Sequence, residues 1–157
     1  MKEVLLVLLG FALGFVPVWL DRKRRLKTHW SAIRAELELC RERASTLLRD
    51  SIRSPLYRLP LSAYQSSFSV LLADGDLSEP EVLTIGRFFC QVQDINRGLD
   101  NAAAMLNADN AAGLDREYDR NLLKARRLVE SREGEESLHA DAKRIVDAKV
   151  LQSWWQY

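Results

Sequence analysis

Two short groups of polar residues have a spacing that could bind a metal ion. Asp74, Asp76 and Ser78 occupy the first, third and fifth positions of a calcium-loop pattern. That pattern requires glycine at the sixth position and, at the twelfth, a glutamate that binds through both of its oxygens. This chain has Glu79 and Ile85 at those two positions, so we do not expect it to bind calcium.

Glu136 and His139 have the Glu-x-x-His spacing of carboxylate-bridged metal sites in four-helix bundles. A complete site needs a second such pair, but the other histidine, His29, has Leu26 three residues before it. A solvent-exposed helix face, on which Glu135 and His139 are neighbours one turn apart, explains these residues better. We therefore predict neither a metal site nor a cofactor.

The two cysteines, Cys40 and Cys90, are far apart in the sequence and form no CxxC motif. Each lies in the apolar stripe of a predicted helix, so we expect free, buried thiols, which suit a reducing compartment. Nucleophilic catalysis needs a serine or cysteine served by a histidine and an orienting acid, and no motif combines them. There is also no glycine-rich phosphate loop. We therefore expect that the chain is not an enzyme.

The clearest helix start in the chain follows a turn at Asp74-Gly75-Asp76. Ser78 is placed to cap the next helix, Pro80 lies in its first turn, and Glu81 completes a capping box. Residues 73–81 resemble the helix-turn-helix junction of tellurite-resistance TerB-like helical domains, and the resemblance covers about nine residues. Turn and capping chemistry explains the same residues without kinship.

Apolar residues that recur every three or four positions predict an all-α protein with a bundle of about four to five helices. Between residues 26 and 47 the apolar residues form a heptad seam: Leu26, Trp30, Ile33, Leu37, Cys40, Ala44 and Leu47. Further helices are predicted at 62–73, from the Ser78 cap to 107, at 114–132 and at 135–153. The predicted helix from the Ser78 cap to 107 carries a second heptad seam. Asn96 is its polar member, which either fixes the helix register or lies at the edge of the stripe.

Residues 4–20, VLLVLLGFALGFVPVWL, carry no charge. As a helix they are about 25 Å long, the short end of what spans a hydrocarbon core of about 30 Å. Lys2 can snorkel at one end, and Trp19 can lie at the headgroup level at the other. A cleaved signal peptide would need a basic start and a small-x-small cleavage site after the apolar run, and neither is present. We therefore predict a retained, single-pass transmembrane helix, with Pro17 loosening or kinking it.

A cluster of basic residues follows the apolar run: Arg22, Lys23, Arg24, Arg25 and Lys27. Basic residues next to a membrane helix are retained on the cytoplasmic side. We therefore predict an inner-membrane protein with its N-terminus outside and its C-terminal domain in the cytoplasm. The same cluster is expected to attract anionic headgroups of the bilayer, at about 1 kcal/mol for each residue near the surface.

The rest of the chain is mildly acidic. Residues 28–157 hold 17 basic and 20 acidic residues, a formal charge of −3. Nucleic-acid binding depends largely on neutralising phosphates, so we do not expect a nucleic-acid partner.

Self-association has two candidate surfaces. Gly10 and Gly14 form a GxxxG motif, which allows a second helix to approach closely. The seam could form a parallel homodimer through four of its residues, Leu26, Trp30, Ile33 and Leu37. Alternatively, it could pack inside its own chain against Val82, Phe89 and Val92.

Together these patterns divide the chain into three parts: an anchor (1–21), a basic juxtamembrane and amphipathic helix (22–53) and a helical bundle (54–157). The aromatic end, Trp154, Trp155 and Tyr157, is expected to close the bundle core, with the membrane interface as the alternative. We expect a membrane-anchored cytoplasmic interaction or scaffold protein that self-associates. The alternative is an anchoring or regulatory subunit of a membrane-bound complex whose partner carries the chemistry.

Overall fold

The chain is described by a computed structural model over residues 2–54, 56–75, 77–107, 111–131 and 134–155. Side chains are described there except at 2, 3, 5–9, 11–13, 111, 112 and 153–155. The described residues form α1 (Lys2–Arg49), α2 (Ser62–Ala73), α3 (Glu79–Asn107), α4 (Ala111–Val129) and α5 (Leu138–Trp155). The prediction of an all-α bundle is therefore confirmed.

The first helix, α1, is far longer than the others, with 48 residues and a length of about 70 Å. It continues through Pro17, although proline removes one backbone hydrogen bond. The apolar N-terminal run and the heptad seam therefore belong to one helix.

The heptad seam of α1 is the inner face of the bundle. From Trp30 to Leu47 its side chains are at most 1% exposed, and Leu26 packs at the edge of the same core. The backbone of α1 contacts α2, α4 and α5, while α3 contacts α4 and α5 across the core. These side chains are buried by their own chain, which favours the alternative that the seam packs within the bundle over a parallel homodimer contact. Residues 22–53 and 54–157 share one core.

The order of contacts along α1 gives the bundle two ends. Helix α2 runs back along α1, with His29 Nδ1 3.0 Å from Ser67 Oγ and Arg22 Nη2 3.1 Å from Asp74 Oδ1. We call the end with Arg22 and the α2–α3 turn (residues 74–78) the Arg22 end. The opposite end holds the linker (residues 50–61), and we call it the Arg53 end.

Helices α4 and α5 follow one another along the bundle, both antiparallel to α1. Near the Arg53 end, Arg53 Nη1 is 2.7 Å from Asp115 Oδ1 at the start of α4. Nearer the Arg22 end, Arg34 Nε is 2.7 Å from Asp147 Oδ1 in α5. Ser137 caps α5, because its Oγ accepts a hydrogen bond from the Ala140 N–H at 3.2 Å.

Asn96 fixes the linker to α3. Its Nδ2 donates to the Leu59 carbonyl and its Oδ1 accepts from the Leu59 N–H, both at 2.9 Å. The amide therefore binds the linker backbone as a neighbouring peptide group would. Asn96 is half-buried, which agrees with a position at the edge of the stripe, and its amide also makes a specific contact with the linker.

A carboxylate from α1 caps α2. Glu36 is 5% exposed, and its two oxygens accept from the N–H groups of Ala63 at 2.8 Å and Tyr64 at 2.6 Å. These N–H groups belong to the first turn of a helix, which has no partner for them within the helix itself. The N-cap residue, Leu61, has no side-chain acceptor for these N–H groups, and Glu36 supplies one instead.

Candidate membrane interface

The N-terminal part of α1, residues 4–20, projects from the bundle, and we call it the arm. Its described apolar side chains other than Trp19 are exposed, among them Val4, Phe15, Val16, Val18 and Leu20 at 40–70%. Trp19 is half-buried, with Lys23 Nζ 5.1 Å from its ring centroid. Apolar residues exposed side by side, as at 15–18, mark a surface for a membrane or a partner.

Among the residues that the structure describes, no helix has both the length and the apolar character needed to cross a membrane. The predicted transmembrane helix includes the side chains at 5–9 and 11–13, which lie outside the described residues. The transmembrane prediction is therefore not confirmed.

The basic cluster begins where the arm ends. Arg24 and Arg25 are exposed, whereas Arg22 forms the ion pair with Asp74 of the α2–α3 turn. The side chain of Arg22 is 57% exposed and that of Asp74 is 16% exposed. Arg22 is thus used within the bundle, whereas Arg24 and Arg25 face solvent.

The calcium-loop residues have partners of other kinds. Asp74 pairs with Arg22, the N–H and Oγ of Ser78 both donate to Glu81 Oε2, and Asp76 lies outside the described residues. The Ser78 N–H bond is half of the predicted capping box. Gly75 has φ +70°, a left-handed conformation that glycine adopts without strain. The described part of this segment is a turn and a cap.

The Glu-x-x-His pair does not converge on a common site. Glu136 precedes α5, is exposed, and lies 3.5 Å from Arg144. His139 instead faces the core, is 6% exposed, and has its ring 6.2 Å from that of Phe88. The expectation of a solvent-exposed helix face is therefore wrong for His139, because the helix starts at Leu138 and turns this residue inward. In the described part of the chain no three His, Cys, Asp or Glu residues are placed to hold a metal ion.

His139 belongs to a polar cluster between α1 and α5. Its Nε2 is 3.8 Å from Glu38 Oε2, and Lys143 Nζ donates to Glu38 Oε1. Asp147 completes the cluster, 3.5 Å from Lys143 Nζ and in contact with Arg34. These contacts join the two helices along the half of the bundle nearer the Arg22 end, and the sequence pattern did not predict them.

Burial and the hydrogen bond between Lys143 and Glu38 shift the pKa values of this cluster. The bond from Lys143 holds the pKa of Glu38 below its ordinary value and raises the pKa of Lys143. Burial lowers the pKa of His139, an effect larger than the opposing attraction of Glu38. Its Nε2 is buried without a hydrogen-bond partner among the described residues. The contacts of Glu38 and Asp147 join α1 to α5, so we assign the cluster to helix pairing.

The two cysteines differ in their surroundings. Cys40 is fully buried, its Sγ donates to the Pro60 carbonyl at 3.3 Å, and burial raises its pKa to about 12. Cys90 is exposed, so the prediction of two buried thiols is correct for Cys40 and wrong for Cys90. Both are free. The aromatic C-terminal side chains at 154–157, for which we predicted a core position, lie outside the described residues.

Comparison with known proteins gives no relative for this chain. No protein-family model matches it, and neither a curated protein nor a solved structure does. The resemblance of residues 73–81 to TerB-like domains is therefore carried by those residues alone.

Proposed function

We propose that this chain is a single-pass inner-membrane protein whose helical bundle is a cytoplasmic interaction or scaffold module. The observation that carries the proposal is the arm of α1, on which Val4, Phe15, Val16, Val18 and Leu20 expose apolar side chains outside the bundle. The basic cluster follows it directly, and the excess of Arg and Lys on that side favours an outside N-terminus and a cytoplasmic bundle. Arg24 and Arg25 would contact anionic headgroups.

The anchoring part of the proposal is tested by charge substitution in the apolar run. The double variant Leu9→Arg/Leu13→Arg adds two charges near its middle, at about 2.5–3.5 kcal/mol each for a membrane helix. We expect wild-type protein to stay with membranes during alkaline carbonate extraction and the double variant to be released. The matched control is Leu123→Arg/Leu151→Arg, which changes two leucines that are 52% and 60% exposed on the bundle. Release of the wild type, or retention of both variants, contradicts the proposal.

Within this proposal, self-association uses the arm, since the seam of α1 is buried. Gly10 and Gly14 lie on one face with Phe15 and Val18, and an added Cβ at either glycine would meet no atom of the described residues within 4 Å. That open face lets a second helix approach closely. We expect Gly10→Cys to cross-link between copies in membranes, and no cross-link at Gly10 rejects this interface.

A stoichiometric foreign protein, co-purified with the chain from mild detergent, would favour the alternative of an anchoring or regulatory subunit.

A further inference from the structure

The α2–α3 turn lies beside the point where the arm ends. Its Asp74 is 3.1 Å from Arg22, and Arg22 is two residues, about 3 Å of helix rise, beyond Leu20. Helix α1 is continuous across this boundary. A bilayer that receives the arm therefore brings its surface to the level of the turn.

The linker lies at the other end of the same helix. Between Leu20 and Arg49, α1 rises by about 44 Å. Membrane helices tilt by about 20° on average and by up to about 40°. Even at the larger tilt, the linker would remain about 30 Å farther from the bilayer than the turn.

Residues 21–27 carry five basic side chains and one acidic one, Asp21, so basic charge exceeds acidic charge at the Arg22 end even with Asp74 and the exposed Glu79 included. An unpaired Asp74 would be repelled by the negative potential of the cytoplasmic leaflet, but Arg22 neutralises it. Arg24 and Arg25 face solvent beside this pair. Leu72, in the last turn of α2, is 42% exposed at the same end and offers an apolar contact.

We propose that the bundle stands upright on the membrane with its α2–α3 turn against the lipid headgroups. Arg22 neutralises Asp74 at this contact, while Arg24 and Arg25 bind lipid phosphates. The partner surface is the headgroup layer of an anionic bilayer. This inference rests on the proposed membrane anchoring.

The test compares the distances of the two bundle ends from the bilayer. The full chain, with Cys90→Ser to remove the exposed thiol, is placed in nanodiscs of phosphatidylcholine and phosphatidylglycerol that contain a headgroup nitroxide lipid. A thiol-reactive fluorophore is attached at Leu72→Cys or at Leu56→Cys, which is 89% exposed in the linker. Cys40 is buried and stays unlabelled. Ala73→Cys, at an exposed position, replaces Leu72→Cys if that variant does not fold.

We expect quenching at Leu72 to be at least threefold stronger than at Leu56. Equal quenching overturns the proposal in either form: strong at both sites means that the bundle lies flat, and weak at both means that the turn is held away. A chain that enters nanodiscs with equal quenching leaves the anchoring proposal intact. A chain that does not enter nanodiscs overturns both proposals.

Discussion

The contact between Gly98 of α3 and Asn121 of α4 gives a stability prediction that can be calculated from the structure. Asn121 is 1% exposed. An ideal Cβ built at Gly98 would lie 2.0 Å from its Oδ1 and 2.6 Å from its Cγ and Nδ2. All three distances are far below van der Waals contact, so Gly98→Ala must displace a buried side chain.

The expected effect is a balance of two terms. Alanine is favoured over glycine in a helix by about 1 kcal/mol, whereas overpacking of a core costs about 1–3 kcal/mol. Because the displacement exceeds 1 Å, we expect the upper part of that range and a net loss of about 1–2 kcal/mol for Gly98→Ala. Gly86, in the same helix, has no atom within 4 Å of an added Cβ. Gly86→Ala should therefore stabilise by about 0.5–1 kcal/mol.

A double-mutant cycle identifies Asn121 as the cause. Asn121→Ala removes the obstructing side chain, together with two polar atoms that have no hydrogen-bond partner among the described residues. In that background Gly98→Ala should stabilise, which gives a coupling free energy of about 2 kcal/mol. Guanidinium unfolding of the full chain in detergent, followed by circular dichroism at the helix band, measures each term. A Gly98→Ala variant as stable as Gly86→Ala, or a coupling near zero, would show that Asn121 does not obstruct a Cβ at Gly98.

Four further predictions concern single groups. Glu36→Ala should lower the free energy of unfolding by about 1–3 kcal/mol, because it leaves buried N–H groups of α2 unpaired, and Glu42→Ala at an exposed position of the same helix should be near neutral. Burial lowers the pKa of His139, so the unfolded chain binds a proton at this histidine more readily than the folded chain does. The free energy of unfolding should therefore fall as the pH drops below about 6.5. His139→Phe should remove that loss, whereas the loss linked to Glu38 begins only below about 4.5. Maleimide followed by mass spectrometry should modify Cys90 in the folded chain and Cys40 only after unfolding, and early labelling of Cys40 would contradict its burial. Ile33→Cys in a background without Cys40 and Cys90 should not cross-link between copies, because Ile33 is 0% exposed. A cross-link there would show that the seam contacts a second copy of the chain.

The parts of the fold that follow from local patterns were predictable. The seam of α1 is buried as its three- and four-residue spacing predicts. Helix α2 has the predicted bounds of 62–73, because Pro60 and Asp74-Gly75 delimit it, and α3 ends at Asn107 as predicted. Periodicity and turn residues act within one segment, so a single sequence contains the information.

The bounds of α4 and α5 were less accurate for local reasons. α5 was expected from 135 but begins at Leu138, because Ser137 provides the cap. Serine followed by a helical pattern is itself an N-cap indication, and it could have been used. α4 begins at Ala111 rather than 114.

The polar contacts between helices could not be predicted from the sequence pattern. Glu36 caps a helix that begins 26 residues later, and Lys143 binds Glu38 across 105 positions. The inward direction of His139 also depends on where α5 starts and on Phe88. Such contacts depend on the arrangement of helices in space, which single-segment periodicity does not determine.

One labelling measurement on sealed vesicles decides whether the chain is anchored in the membrane with its bundle in the cytoplasm. Inner-membrane vesicles that contain Leu56→Cys in a Cys90→Ser background are prepared right-side-out and inside-out. Each set is treated with a membrane-impermeant maleimide, and its membranes are then washed with alkaline carbonate. If the bundle is cytoplasmic, we expect labelled protein in the washed inside-out membranes and unlabelled protein in the right-side-out ones. Labelling in the right-side-out vesicles, or loss of the protein from both sets during the wash, would contradict it.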